Sequence, residues 1–260
     1  MQGTSIIASA RPDLSQVSWE NLSKKRILFG HQSVGFNIVD GIEDVLKENS
    51  QIKINIIENS RPWEVKTPSL IHFMVGENQN RKSKMDAFSA LIQREDKKTL
   101  DIAFFKLCFV DIQATTNVSM VFDQYKTIMG NLMRDFPETT FIVVTVPLTS
   151  EPTGTEQLTR GLKNWIKTAI GKSIERSFEN VNRNNFNALL KKEYEGKVPI
   201  FDLATIESTG LDGKRQMFSV EGKNYYSMLP AYTDDGGHLN KLGRKVVAEQ
   251  LLVFLAKLSK

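Results

Sequence analysis

Arg26-Ile27-Leu28-Phe29-Gly30-His31 is an apolar run of strand length, and Gln32-Ser33-Val34-Gly35 carries it into a helix-period segment over 34–47. Such a strand, feeding a helix after two residues, opens an α/β pattern that the rest of the chain repeats. Residues 52–57 alternate with period two and predict a second strand. A polar loop through Pro62, Pro68 and Gly76 leads to a helix over 85–93. Residues 101–108 are almost continuously apolar, as expected of a strand buried on both faces, and 139–146 repeat that pattern after an amphipathic helix over 121–133. Apolar positions from Leu158 through Trp165 and Ile174 to Val181 recur at helical spacing, giving one long helix or two broken near Gly171. Residues 198–202 predict a fifth strand, and 217–228 a hairpin turning near Gly222 and Lys223. Leu242, Val246, Leu251, Phe254, Leu255 and Leu258 mark a last amphipathic helix. Alternating strands and helices imply a parallel sheet of about five strands with helices on both faces. With no linker and no repeat, residues 25–260 are expected to form one domain after an N-terminal extension over 1–24.

Composition narrows the function classes. Of 260 residues, 40% are hydrophobic and 25% charged, which excludes wholesale disorder and low-complexity architectures. No apolar run reaches the length that spans a bilayer. One cysteine excludes an intramolecular disulfide and a cysteine-rich zinc site, and three histidines leave little for a metal centre. The charge of +4 arises from 34 basic against 30 acidic residues, with Lys24-Lys25-Arg26, Arg81-Lys82 and Lys97-Lys98 scattered among acids. A solvated surface is the plain explanation, and no nucleic-acid partner is expected. No cofactor and no metal is implied. Residues 1–12 lack the basic and apolar segments of a secretory signal, which leaves a cytoplasmic protein or one whose signal has been removed.

Reacting groups of an open α/β sheet gather at the carboxyl ends of its strands. Ser33 lies there, between the first strand and its helix, where unpaired N–H groups and the helix dipole favour an oxyanion. The same position suits a simple N-cap residue. Near the other end of the chain, Thr233-Asp234-Asp235-Gly236-Gly237-His238-Leu239-Asn240 precedes the last helix. A carboxylate three residues before a histidine can hold Nδ1–H and leave Nε2 free as a base, or the aspartates can merely cap a turn.

Serine after the first strand and Asp235-x-x-His238 before the last helix together resemble the SGNH (GDSL-like) hydrolases, over roughly residues 25–258. The resemblance implies a three-layer α/β/α, flavodoxin-like fold and a serine esterase or acyltransferase. Its catalytic residues would be Ser33, Asp235 and His238, and its substrate a small-molecule or carbohydrate ester. Two departures stand out. The nucleophile block is G-H-Q-S rather than G-D-S, and Cys108-Phe109-Val110-Asp111 stands where the family carries G-x-N-D. Valine has no donor, so Gly76 and Asn78 become the candidates that would complete an oxyanion hole with Ser33. His31, Gln32, Lys106 and Asp111 are further pocket candidates, Lys106 either entering the cleft or pairing with Asp111. His72 is expected in a loop.

Two other classes stay open. A non-catalytic carbohydrate- or ligand-binding protein on this scaffold would explain the missing asparagine, although it has little need of D-x-x-H spacing. A metal-dependent phosphoesterase could use Asp234, Asp235 and His238, but lacks the further ligands such a site requires.

Overall fold

A computed structural model describes residues 11–94, 100–151 and 175–259. The predicted helical positions 158–174, Gly171 included, and the Lys97-Lys98 pair lie outside the described residues. Six parallel strands form the central sheet in the order β2-β3-β1-β4-β5-β6. They are β1 (Arg26–His31), β2 (Ile56–Glu58), β3 (Ser69–Met74), β4 (Ile102–Phe105), β5 (Thr140–Val144) and β6 (Ile200–Phe201). Without the short edge strand β2, this is the flavodoxin-like order, and the chain reverses direction across the sheet beside β1.

The sheet holds one more strand than the sequence suggests. β3 runs through the segment expected to be loop, and His72 sits inside it, buried. A strand flanked by β1 and β2 needs no polar alternation, so Pro68 and Gly76 conceal it. The period-two stretch from residue 52, by contrast, contributes only its end to β2. Leu203–Ser208 adds a short helix after β6.

The helices divide between the faces. On one face lie α1 (Val34–Glu48), α5 (Leu203–Ser208) and α6 (Lys241–Leu258), and on the other α2 (Arg81–Ile92), α3 (Val118–Asp135) and α4 (Glu175–Tyr194). Strand residues alternate between the two cores: Ile27 and Phe29 join α1 and α6, whereas Leu28 meets the α2 side. α1 contributes Val34, Ile38, Val39, Ile42 and Val45, all buried, each worth about 1.5–3 kcal/mol. Trp19 and Leu22, upstream of β1, are also buried in that core. β7 (Met217–Val220) and β8 (Lys223–Tyr226) form the expected hairpin, closed by Glu221 and Gly222 at φ 51° and 75°. Two successive positive-φ residues match a type I′ turn. No helix among the described residues is long and apolar enough to cross a membrane.

α1 and α6 approach closely. A Cβ on Gly41 would stand 2.4 Å from the carbonyl oxygen of Arg244. Arg244 bonds Asp44 at 2.6 Å and Asp40 at 3.4 Å along the same seam. A side chain at position 41 would have to push backbone against backbone. Gly41→Ala is therefore expected to destabilise the protein by about 1–3 kcal/mol in chemical denaturation. Gly130→Ala, in α3 with nothing within 4 Å of the new methyl, is expected to stabilise it by about 0.5–1 kcal/mol.

Candidate active site

The turn from β1 into α1 is sharp. Ser33 has φ 53° and ψ −113°, a region that costs a non-glycine residue about 1–3 kcal/mol. The turn also brings residues 31 and 35 together: a Cβ on Gly35 would lie 2.3 Å from Cβ of His31. Glycine at 35 is thus the condition for placing Ser33 at the tip, the geometry of a nucleophile elbow. Although Ser33 occupies the N-cap position of α1, its hydroxyl makes no capping bond. It lies instead 2.6 Å from Nε2 of His238.

The 233–239 loop holds that imidazole. Thr233 and Leu239 pair across it, and Gly236 turns at φ 88°. Oδ1 of Asp235 accepts the backbone N–H groups of Gly237 (2.8 Å) and His238 (2.7 Å), and Oδ2 faces Nδ1 of His238 at 2.6 Å. Burial pushes the Asp235 carboxyl up, but the two N–H bonds and the imidazole outweigh it and hold the carboxyl well below the usual range. An ionised Asp235 can only accept, so Nδ1 carries the proton and Nε2 is left to receive one from Ser33. The side chains of His238 and Asp235 are 46% and 57% exposed, so the pair opens to solvent and to an incoming molecule.

Residues outside the two sequence motifs hold this arrangement. Oδ1 of Asn37, in the first turn of α1, accepts the N–H of Leu239 at 3.2 Å and ties the histidine loop to the serine helix. The Phe109 ring meets His238 edge-on, with centroids 5.6 Å apart. Arg183, buried, donates to the Phe109 carbonyl at 3.0 Å and lies over its ring. Asn180, Arg183 and Asn187 repeat at i, i+3 and i+7 on α4, a buried polar stripe that the sequence does display.

The other predicted residues separate. Gln32 is partly exposed and donates to the carbonyls of Val75 (3.1 Å) and Gly76. His31, Lys106 and Asp111 are buried. Lys106 does not pair with Asp111: its Nζ lies 3.3 Å from Sγ of Cys108, and burial pushes its ammonium down. The partner of Asp111 is Lys84, at 2.6 Å, with neither side chain exposed. Removing one member of such a pair costs about 3–5 kcal/mol. Asp111 also accepts the N–H groups of Cys108 (2.6 Å) and Gln79 (2.9 Å), joining the loops after β4 and β3. Asn78 is exposed, and its Oδ1 accepts from Lys84 at 2.8 Å. Asp234 bonds Asn240, and no group of three or more His, Cys, Asp or Glu among the described residues could hold a metal ion.

No family model and no curated protein sequence matches this chain. Solved structures do. A Streptococcus pneumonia protein, provisionally identified as a platelet activating factor, aligns at 16% identity and a TM-score of 0.52, over 89% of this chain and 84% of its own. A protein from Slackia heliotrinireducens, provisionally an SGNH hydrolase, aligns at 10% identity and 0.45, over 87% and 95%. A carbohydrate esterase family 3 structure from Talaromyces cellulolyticus gives 17% identity and 0.43, over 90% and 96%. The first of these shares this chain's fold, a parallel sheet between two layers of helices. After β4, Val110 is half-buried and Asp111 is buried.

Beneath the elbow, Nε2 of His31 and Nδ1 of His72 are 3.1 Å apart. Nδ1 of His31 is buried without a partner, so it is the bare nitrogen, and His31 donates from Nε2 to His72. Burial, with Lys106 and His72 nearby, pushes His31 down to about 2. Burial also lowers His72, against the pull of Glu58, Glu43 and Asp40. Below about pH 6.5 the unfolded chain binds protons that the folded pair refuses, so stability falls as pH falls. Urea midpoints are expected to drop between pH 7.5 and 5, and the drop to shrink in His31→Gln.

Proposed function

We propose that this protein is a serine esterase acting on small acyl esters, acetylated carbohydrate among them, through an acyl-enzyme on Ser33. The observation that carries this is the line of contacts Ser33–His238–Asp235, 2.6 Å at each step, between residues 205 positions apart in the chain. A turn-capping aspartate and an N-cap serine would have no reason to meet.

The chemistry follows from the geometry. Nε2 of His238 takes the hydroxyl proton as Oγ of Ser33 attacks the ester carbonyl, and Asp235 stabilises the imidazolium so formed. The negative oxygen of the tetrahedral intermediate is met by the backbone N–H groups of Ser33 and Gly76 and by the Asn78 amide. Collapse expels the alcohol, which receives its proton from His238, and leaves the acyl group on Ser33. Water, deprotonated by His238, then releases the acid. A sugar hydroxyl in place of water would make the same site an O-acyltransferase. The valine at position 110 favours a second reading, a ligand-binding protein without turnover.

A fluorophosphonate probe and p-nitrophenyl acetate separate these. Wild type is expected to be labelled on Ser33 and to turn over the ester. Ser33→Ala and His238→Ala are expected to lose both, and Asp235→Asn to lose about 10⁴-fold in turnover. Ligand binding that survives Ser33→Ala, with no labelling of wild type, would leave the binding protein. Phe109→Ala, which frees one edge of His238, is expected to lower kcat while the ester KM stays within about twofold.

A further inference from the structure

The geometry points to Lys84 as a positioning residue that decides which end of the Asn78 amide faces outward. This inference rests on the esterase reading above and extends it to a residue that touches no substrate.

An amide side chain is nearly symmetric in shape, and only its hydrogen bonds choose between oxygen and nitrogen. Here that choice is made from inside. Lys84 is fully buried on α2, and its ammonium, a donor only, lies 2.8 Å from Oδ1 of Asn78. The oxygen is therefore turned inward, and Nδ2, with no described partner, is left on the exposed side of Asn78. Reversing the amide would set its N–H₂ against the ammonium.

Lys84 is itself held. Its second bond is to Oδ2 of Asp111, which also takes the N–H of Cys108, while Oδ1 takes the N–H of Gln79. The Asn78 loop is anchored on both sides. Gln79 sits at φ 65°, Asn80 caps α2 through Ser83, and Gln32, next to Ser33, donates to the carbonyls of Val75 and Gly76. The amide that would replace the family's donor is thus set by a buried ion pair rooted in the neighbouring loop, where Val110 has none to offer.

The test is a double-mutant cycle read by the second-order rate of fluorophosphonate labelling of Ser33 and by p-nitrophenyl acetate kinetics. Asn78→Ala and Lys84→Met are each expected to slow labelling about 100-fold and to lower kcat with KM unchanged. The double variant is expected to be no slower than Asn78→Ala alone. Asn78→Asp keeps the Lys84 contact but presents oxygen outward, and is expected to label at least as slowly as Asn78→Ala. Where Lys84→Met does not fold, Lys84→Met/Asp111→Asn removes both buried charges and the donor together and takes its place in the cycle. Equal losses from the lysine substitution in the wild-type and Asn78→Ala backgrounds would show that Lys84 acts elsewhere. Wild-type labelling in Asn78→Asp would overturn the orientation. Either result leaves labelling of Ser33 in wild type, and so the esterase reading, intact. A wild type that is not labelled at all overturns both.

Discussion

The site depends on how closely α1 and α6 can approach. Ser33 begins one helix and His238 ends the loop that leads into the other, so the distance between their side chains is set by that packing. Gly41 lets the α6 backbone come into contact at Arg244, and Asp44 and Arg244 tie the seam. The bond from Leu239 to Asn37 carries the same registration to the top of the helices. An added methyl at position 41 would act on the Ser33–His238 hydrogen bond from two helical turns away, because close-packed elements transmit displacement.

A second constraint is the strained turn that lifts Ser33. Its backbone conformation is unfavourable for serine, and the compensation comes from the buried strand before it and the apolar helix after it. The turn requires glycine at 35 because a buried histidine stands at 31. That histidine in turn needs His72, since an imidazole donor without a partner in this core would cost about 1–3 kcal/mol. Strain at the surface and hydrogen bonding in the core are therefore parts of one design, and the histidine pair belongs to the scaffold rather than to the chemistry.

The polar groups around the sheet's carboxyl end divide into an exposed set and a buried set. Ser33, Asp235, His238 and Asn78 face solvent or stand partly open to it. Asp111, Lys84, Arg183, His31 and Lys106 are buried beneath or beside them. The buried set joins the loops after β3 and β4 to each other and to α4, and the partly exposed Gln32 ties the loop after β1 to the one after β3, so each loop's position is determined by more than its own strand. Such loops hold a geometry without relying on intrinsic rigidity of their own.

Local pattern determined a good part of this. β1 and α1, the buried runs of β4 and β5, the closing helix and the hairpin follow from apolar spacing and turn residues. Asp235 and His238 stand three residues apart, so their bond was one of the two readings that the sequence left open. Tertiary structure alone decided the rest. β3 escaped the pattern because its apolar run is interrupted by His72, with Pro68 just before it and Gly76 just after it, whereas the interior strands β4 and β5 are nearly unbroken. Asp111 takes Lys84, 27 residues away, rather than Lys106, whose pairing with it was one of two readings open in the sequence, because Lys84 is the nearer in space. The meeting of Ser33 with His238 depends on a helix seam whose contacts join residues some 200 positions apart. Periodicity records which way a side chain faces. It does not record which distant surface it faces, and that is set only when the layers close.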